Sequence, residues 1–114
     1  ILNEQDLGSV TMYQHRDYQG RNVVLNFSIR RRLPAGYFHP DKIYELSSVN
    51  FVNTMSSFCP TNKLQRYWNI IFYKFFSGYG RSKSSANLPM GQCFRYIGLD
   101  FNDNTMSFKL AKKF

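Results

Sequence analysis

Apolar positions along this chain fall into short runs and do not form helical stripes. Val10 to Tyr13 is β-branched and aromatic, and Arg21 to Ile29 resumes with Val and Leu just past Gly20. Both segments suit strands. The longest apolar run, Trp68 to Phe76, is interrupted by Asn69 and Lys74. Clusters of Gly, Pro, Asn and Ser separate the runs and mark turns. No stretch sustains a helical period over three turns. The pattern predicts strands joined by turns, and 114 residues suffice for one such domain with an adequate core.

The runs repeat. Val10-Thr11-Met12-Tyr13-Gln14-His15-Arg16-Asp17-Tyr18-Gln19-Gly20-Arg21 is matched sixty residues on by Ile70-Ile71-Phe72-Tyr73-Lys74-Phe75-Phe76-Ser77-Gly78-Tyr79-Gly80-Arg81. Val49 to Phe58 (VNFVNTMSSF) is matched fifty residues on by Leu99 to Phe108 (LDFNDNTMSF). Two matched openings and two matched closings describe one supersecondary unit used twice. In the first opening, Tyr18 can lie over Tyr13 and hold a folded hairpin closed, while Gly20 takes a backbone conformation that glycine adopts cheaply. In the second, Gly78 stands where the second aromatic belongs, and Phe75 or Phe76 is expected to fill that role. Leu33 to Asp41, with Pro34, Gly36 and Pro40, reads as a long loop that makes the first unit ten residues longer.

An aromatic hairpin followed by glycine, closed by a loop of two Asn/Asp, two variable residues, Ser/Thr and Ser, resembles the Greek-key motif of the βγ-crystallin superfamily. Val52-Asn53-Thr54-Met55-Ser56-Ser57 and Asn102-Asp103-Asn104-Thr105-Met106-Ser107 each fit five of the six closing positions. The resemblance spans roughly residues 9 to 110. It implies an all-β, two-motif Greek-key β-sandwich formed by a single domain over residues 1–114, with unit one at about 9–60 and unit two at about 68–110. It also implies that Val49, Phe51, Phe58, Leu99, Phe101 and Phe108 take comparable interior or hairpin-covering positions.

The resemblance further implies calcium chemistry, since two such loops stand side by side and exchange oxygen ligands. Carried over by position, one site uses Asp103, the carbonyl of Asn104 and the hydroxyl of Ser56. The other uses Asn53, the carbonyl of Thr54 and position 106. That position is Met, a poor ligand for a cation that prefers hard oxygens. Calcium is therefore expected at one weak site or not at all. The competing reading is that Asn, Ser and Thr only tie each loop to its own backbone.

The net charge of +8, from 15 Lys and Arg against 7 acidic residues, favours an anionic partner: an acidic protein, a glycosaminoglycan or an anionic membrane surface. The densest cluster is Arg30, Arg31 and Arg32, read as ending a strand, with Arg30 and Arg32 on one face and Arg31 on the other. Asp41 and Glu45 are the nearest acids in sequence able to offset it. Aromatics between basic residues suggest stacking on single-stranded nucleic acid. The repeat, however, already explains them as hairpin and core, so nucleic acid is not expected as a partner. No apolar run reaches the ~18 to 20 residues of a membrane-spanning helix.

Catalysis finds no support. His15 lies in the hairpin and His39 in a proline-flanked loop, the acids are scattered, and no nucleophile elbow, P-loop or zinc-protease motif occurs. The start at Ile1-Leu2-Asn3 fits a mature secreted form, or equally a trimmed chain. Asn26-Phe27-Ser28 is a glycosylation sequon of a kind that also arises by chance. Cys59 and Cys93 can form one disulfide or remain buried thiols. The expectation is a secreted, non-enzymatic cationic binding module of toxin, antimicrobial or inhibitor type. The alternative is a structural or stress-type module with weak calcium binding.

Overall fold

The computed structural model describes residues 6–113. Strand β1 (Asp6–His15) turns through Arg16–Tyr18 into β2 (Gln19–Ser28), followed by β3 (Tyr37–Phe38), β4 (Ile43–Glu45) and β5 (Ser57–Pro60). A short helix, α1 (Asn62–Tyr67), leads into β6 (Trp68–Tyr73), β7 (Ser82–Ser84) and β8 (Ser107–Lys112). They form two four-stranded sheets, ordered β3-β2-β1-β5 and β4-β8-β6-β7.

Each unit lends one segment to the other's sheet. Strand β4 of the first unit pairs with β8, setting Tyr44 opposite Phe108. Phe94 of the second unit bridges Phe58 on β5. These are the same pairing fifty residues apart. Pulling the units apart would break the β4–β8 ladder of one sheet and the Phe58–Phe94 bridge of the other.

The core lies between the sheets. Strand β6 shows the alternation expected of a half-buried strand, with Trp68, Ile70 and Phe72 inward. Val10 and Met12 of β1, Leu25 and Phe27 of β2, and Phe108 and Leu110 of β8 complete it. Aromatic rings cross the interface edge to face: Phe58 and Phe72 lie 5.0 Å apart, and Phe27 and Phe108 6.2 Å apart.

Three expectations change. The Leu33–Asp41 segment is more than a loop. Tyr37 and Phe38 pair in parallel with β2, and the Phe38 ring sits 5.1 Å from Phe108 and 4.9 Å from Tyr44. Phe51, Phe58, Phe101 and Phe108 are buried as expected and Val49 packs partly buried against the core, but Leu99 is 87% exposed. The Gly98 carbonyl accepts the amides of Phe101 and Asn102 in a tight turn that turns Leu99 outward, and Ile97 is the buried residue there. Finally, six residues, too few to show a period, do form a helix. The Thr61 hydroxyl caps it by accepting the Leu64 amide, and buried Gln65 ties it to the second unit. Its side-chain amide donates to the carbonyls of Leu88 and Pro89 and accepts from Gly91.

Cys59 and Cys93 are joined in a disulfide, with Cα atoms 4.4 Å apart, beside the Phe58–Phe94 bridge. It fastens the second unit's crossing segment to the first sheet. Asn26, the sequon residue, sits within β2 between β1 and β3, its amide group donating to the Gly36 carbonyl.

Replacing Phe108 with Ala should cost about 3–5 kcal/mol in urea unfolding, because its ring meets three others across the core. Cys59→Ser/Cys93→Ser should cost about 3–4 kcal/mol, the loop-closure value for a bridge spanning 34 residues.

Candidate functional site

At one end of the sandwich, each closing loop holds a folded hairpin through a buried serine. The Ser57 hydroxyl donates to the His15 carbonyl at 2.7 Å and accepts the Tyr18 amide at 3.2 Å. The Ser107 hydroxyl donates to the Phe75 carbonyl at 2.6 Å and accepts the Gly78 amide at 3.0 Å. The opposite unit supports each tip. Arg95 pairs with Asp17 at 2.8 Å, and Glu45 Oε1 accepts the Ser77 amide at 2.8 Å. The loops also bond each other directly: the Asn53 amide donates to the Thr105 carbonyl, and the Asp103 amide to that of Met55.

The hairpins share one backbone. Asp17 and Ser77 have φ near +57° (56 and 58), and Tyr18 and Gly78 are also left-handed at 63° and 75°. In the first, the Tyr13 and Tyr18 rings meet edge to face at 5.6 Å. In the second, neither Phe75 nor Phe76 replaces the missing aromatic by a shift. Gly78 stays in register, and Ile43 occupies its space, so that a Cβ there would come within 2.8 Å of Ile43 Cδ1. Phe75 instead covers Gly80, as His15 covers Gly20.

Two hollows flank the paired loops. One is lined by His15, Arg16, Ser56, Tyr96, Asn102 and Asp103. The other is lined by Asn53, Lys74, Phe75, Asn104 and Met106. The structure thus brings Ser56 and Asp103 together but puts Asn104 in the other hollow, and Asn102 stands beside Ser56 instead. Ser56 Oγ is 2.9 Å from the Gln14 carbonyl and 2.5 Å from Asn102 Oδ1. The hydroxyl thus joins the Gln14 carbonyl and the Asn102 side-chain amide in one polar cluster. Hard oxygens beside the Asp103 carboxylate fit a calcium ion in kind. The charge is sparse, however, and Arg16, stacked 4.4 Å over Tyr96, adds a cation to the lining. No group of three or more His, Cys, Asp or Glu gathers among the described residues. The second hollow does not fit a divalent cation. Met106 stands at the hydroxyl position, Asn53 is neutral, and Lys74 brings an ammonium held 2.7 Å from Asp100.

Asp100 also pairs with Arg81 at 2.8 Å. The hydrogen bond from Lys74 lowers its pKa, burial opposes this, and the charges of Arg81 and Lys74 add to the lowering.

The arginine cluster lies at the other end of the sandwich. Strand β2 stops at Ser28, so the three arginines follow the strand and do not alternate across it. Arg30 is not a free cation. Its Nη2 binds Asp6 at 2.8 and 3.0 Å, its Nε lies 3.0 Å from Asp6 Oδ1, and its guanidinium sits 5.1 Å over Tyr37. The offsetting acid is therefore Asp6, not Asp41 or Glu45. Burial alone would raise the Asp6 pKa, but hydrogen bonds from Arg30 and Ser28 and the charges of Arg30 and Lys63 outweigh it and hold the carboxyl below its ordinary value. Asp6 faces Ser28 across the hairpin, and that register is the signal that would have found the pair. Arg31 and Arg32 are exposed and make no ion pair among the described residues.

Two Greek-key units that exchange a crossing segment, β4 from the first and the Phe94 bridge from the second, with hairpins pinned by closing-loop serines, define a βγ-crystallin-type fold. No protein-family model matches the chain, and no curated protein does. Solved structures do. A βγ-crystallin domain from Clostridium beijerinckii aligns with a TM-score of 0.59 at 21% identity, covering 90% of this chain and 95% of that one. A βγ-crystallin domain from Flavobacterium johnsoniae aligns with a TM-score of 0.57 at 16% identity, covering 90% and 93%. The N-terminal domain of Protein S aligns with a TM-score of 0.58 at 19% identity, covering 91% and 96%. At these identities the likeness establishes the fold.

Arg30→Ser should lower the melting temperature, whereas Arg31→Ser and Arg32→Ser should leave it unchanged in thermal unfolding. Asp6 and Asp100 have lowered folded pKa values. Their pairs therefore stabilise fully above the ordinary aspartate value of about 4, and the contribution is lost as pH falls through the lowered values. An acid titration of stability should show the loss beginning near pH 4 and reduced in Arg30→Ser.

Proposed function

We propose that this chain is a non-enzymatic binding module that works outside the cytosol and engages an anionic partner through a basic surface. The carrying observation is the distribution of ion pairs. The acids Asp6, Asp17 and Asp100 are each committed to cations of their own neighbourhood. Exposed Arg31 and Arg32 are left beside the segment that breaks the repeat. Inserted segments on a repeated scaffold often carry what is particular to one member. The disulfide supports an oxidising compartment. Interference with a target, of toxin, antimicrobial or inhibitor type, is the use such a surface suits.

A second reading rests on Ser56, Asn102 and Asp103 lining one hollow. One weak calcium ion held by Asp103, Ser56 and Asn102 would tie the two closing loops together, as in a structural or stress-type module. Calorimetric titration should find at most one weak site, abolished by Asp103→Ala. Two tight sites would contradict the argument from Met106 and Lys74.

For the first reading, the chain should be retained on immobilised heparin and elute earlier as salt rises, since exposed charges are screened beyond about 8 to 10 Å near physiological ionic strength. Arg31→Ser/Arg32→Ser should elute at clearly lower salt with the fold intact. Unchanged elution would remove the cluster from the site.

A further inference from the structure

We infer that the α1 end of the sandwich docks on an anionic lipid bilayer, a reading that rests on the anionic partner proposed above and names it. The strand registers bring the basic residues of several segments to this end. Asp6 and Ser28 lie opposite each other at the open end of the β1–β2 hairpin, so Arg31 and Arg32 follow there. Lys63, on α1, is close enough to lower the Asp6 pKa, and Arg66 lies on the same short helix. Trp68 pairs with Lys112, and the Lys113 amide donates to the Tyr67 carbonyl, which brings the chain's last lysines to the same end. Two acids are described at this end, Asp6, which Arg30 holds, and exposed Asp41, whose amide bonds the Leu110 carbonyl near Lys112, and the cations outnumber them.

Charge alone would suit any polyanion. The apolar side chains among these cations favour a bilayer. Ile29, Tyr67 and Met90 are 48%, 56% and 49% exposed. Ile29 precedes the arginines, Tyr67 ends α1, and Met90 sits in the turn that Gln65 of α1 holds. A basic surface bearing exposed apolar and tyrosine side chains matches the interface of an anionic membrane. There, cations meet headgroups while apolar groups and tyrosine enter the boundary. The opposite end is the competing face, with Phe75, Phe76 and Tyr79 exposed. There Lys74 and Arg81 share Asp100, Arg95 and Arg16 share Asp17, and Glu45 and Asp103 stand against Arg21, so five cations meet four carboxylates and little net charge is left. The field of an anionic surface therefore turns the α1 end toward it.

Trp68, the one tryptophan of the chain, lies at the α1 end and supplies the probe. The protein is mixed with vesicles of phosphatidylcholine and phosphatidylserine in equal parts, and with vesicles of phosphatidylcholine alone. The inference expects sedimentation with the first and not the second, and quenching of Trp68 by spin-labelled lipid. It expects affinity to fall about five-fold for each cation removed in Arg31→Ser, Arg32→Ser and Lys63→Ser. Ile29→Ser/Tyr67→Ser should weaken binding about ten-fold or more, with retention on heparin unchanged. Phe76→Ser/Tyr79→Ser should leave vesicle binding as it was. Heparin retention without vesicle binding overturns the bilayer and leaves the anionic-partner reading standing, whereas absence of both overturns both. Vesicle binding insensitive to Ile29→Ser/Tyr67→Ser, or abolished by Phe76→Ser/Tyr79→Ser, overturns the assignment to this end.

Discussion

Two buried serine hydroxyls organise this molecule. A folded hairpin turns its own amides and carbonyls away from ladder partners, and a buried backbone group without a partner is costly. Ser57 and Ser107 each satisfy one carbonyl and one amide of a hairpin from the start of the strand that closes the same unit. Both serines are fully buried, so water cannot take their place. Once the serines are fixed, the preceding residues must form the closing loops, and the loops meet face to face through the Asn53 and Asp103 amides. Strands β5 and β8 then run on from the serines and carry Phe58 and Phe108 into the core.

The same scaffold is used twice with different side chains, and the differences are informative. Gln14 and Lys74 occupy matching places, as do Ser56 and Met106, and Asp103 and Asn53. One hollow keeps hydroxyl, amide and carboxylate oxygens, while the other contains a thioether and an ammonium. The tips differ in the same manner. An ion pair, Arg95 to Asp17, supports one, and a carboxylate accepting a backbone amide, Glu45 to Ser77, supports the other. The positions are copied while the chemistry is not, so the two hollows at the closing-loop end differ in kind. The unneutralised charge collects at the opposite end, around α1.

Much of the fold was legible because a repeat converts weak local signals into a strong one. The spacings of fifty and sixty aligned two turns and two serines that no single-copy pattern would have singled out. The failures have physical causes. Leu99 matched Val49 in sequence, yet the turn at Gly98 moved the buried position to Ile97. Gly78 looked like a lost aromatic because the residue filling its space, Ile43, comes from the other unit. Such exchange between units is invisible within either copy. The basic surface was only partly legible for the same reason. Proximity in sequence pointed to Asp41 and Glu45, whereas strand pairing delivered Asp6 to Arg30, and Lys63 and Arg66 reached the region on a helix with no period to reveal it.

The dependence of the fold on the serine hydroxyls is tested most directly by hydrogen exchange at the hairpin amides in Ser57→Ala and Ser107→Ala. The account predicts that each substitution destabilises the domain by about 1–3 kcal/mol, the cost of buried backbone groups left unpaired. It also predicts that protection is lost first at Tyr18 in Ser57→Ala and at Gly78 in Ser107→Ala. Unchanged stability, with both amides as protected as before, would contradict it.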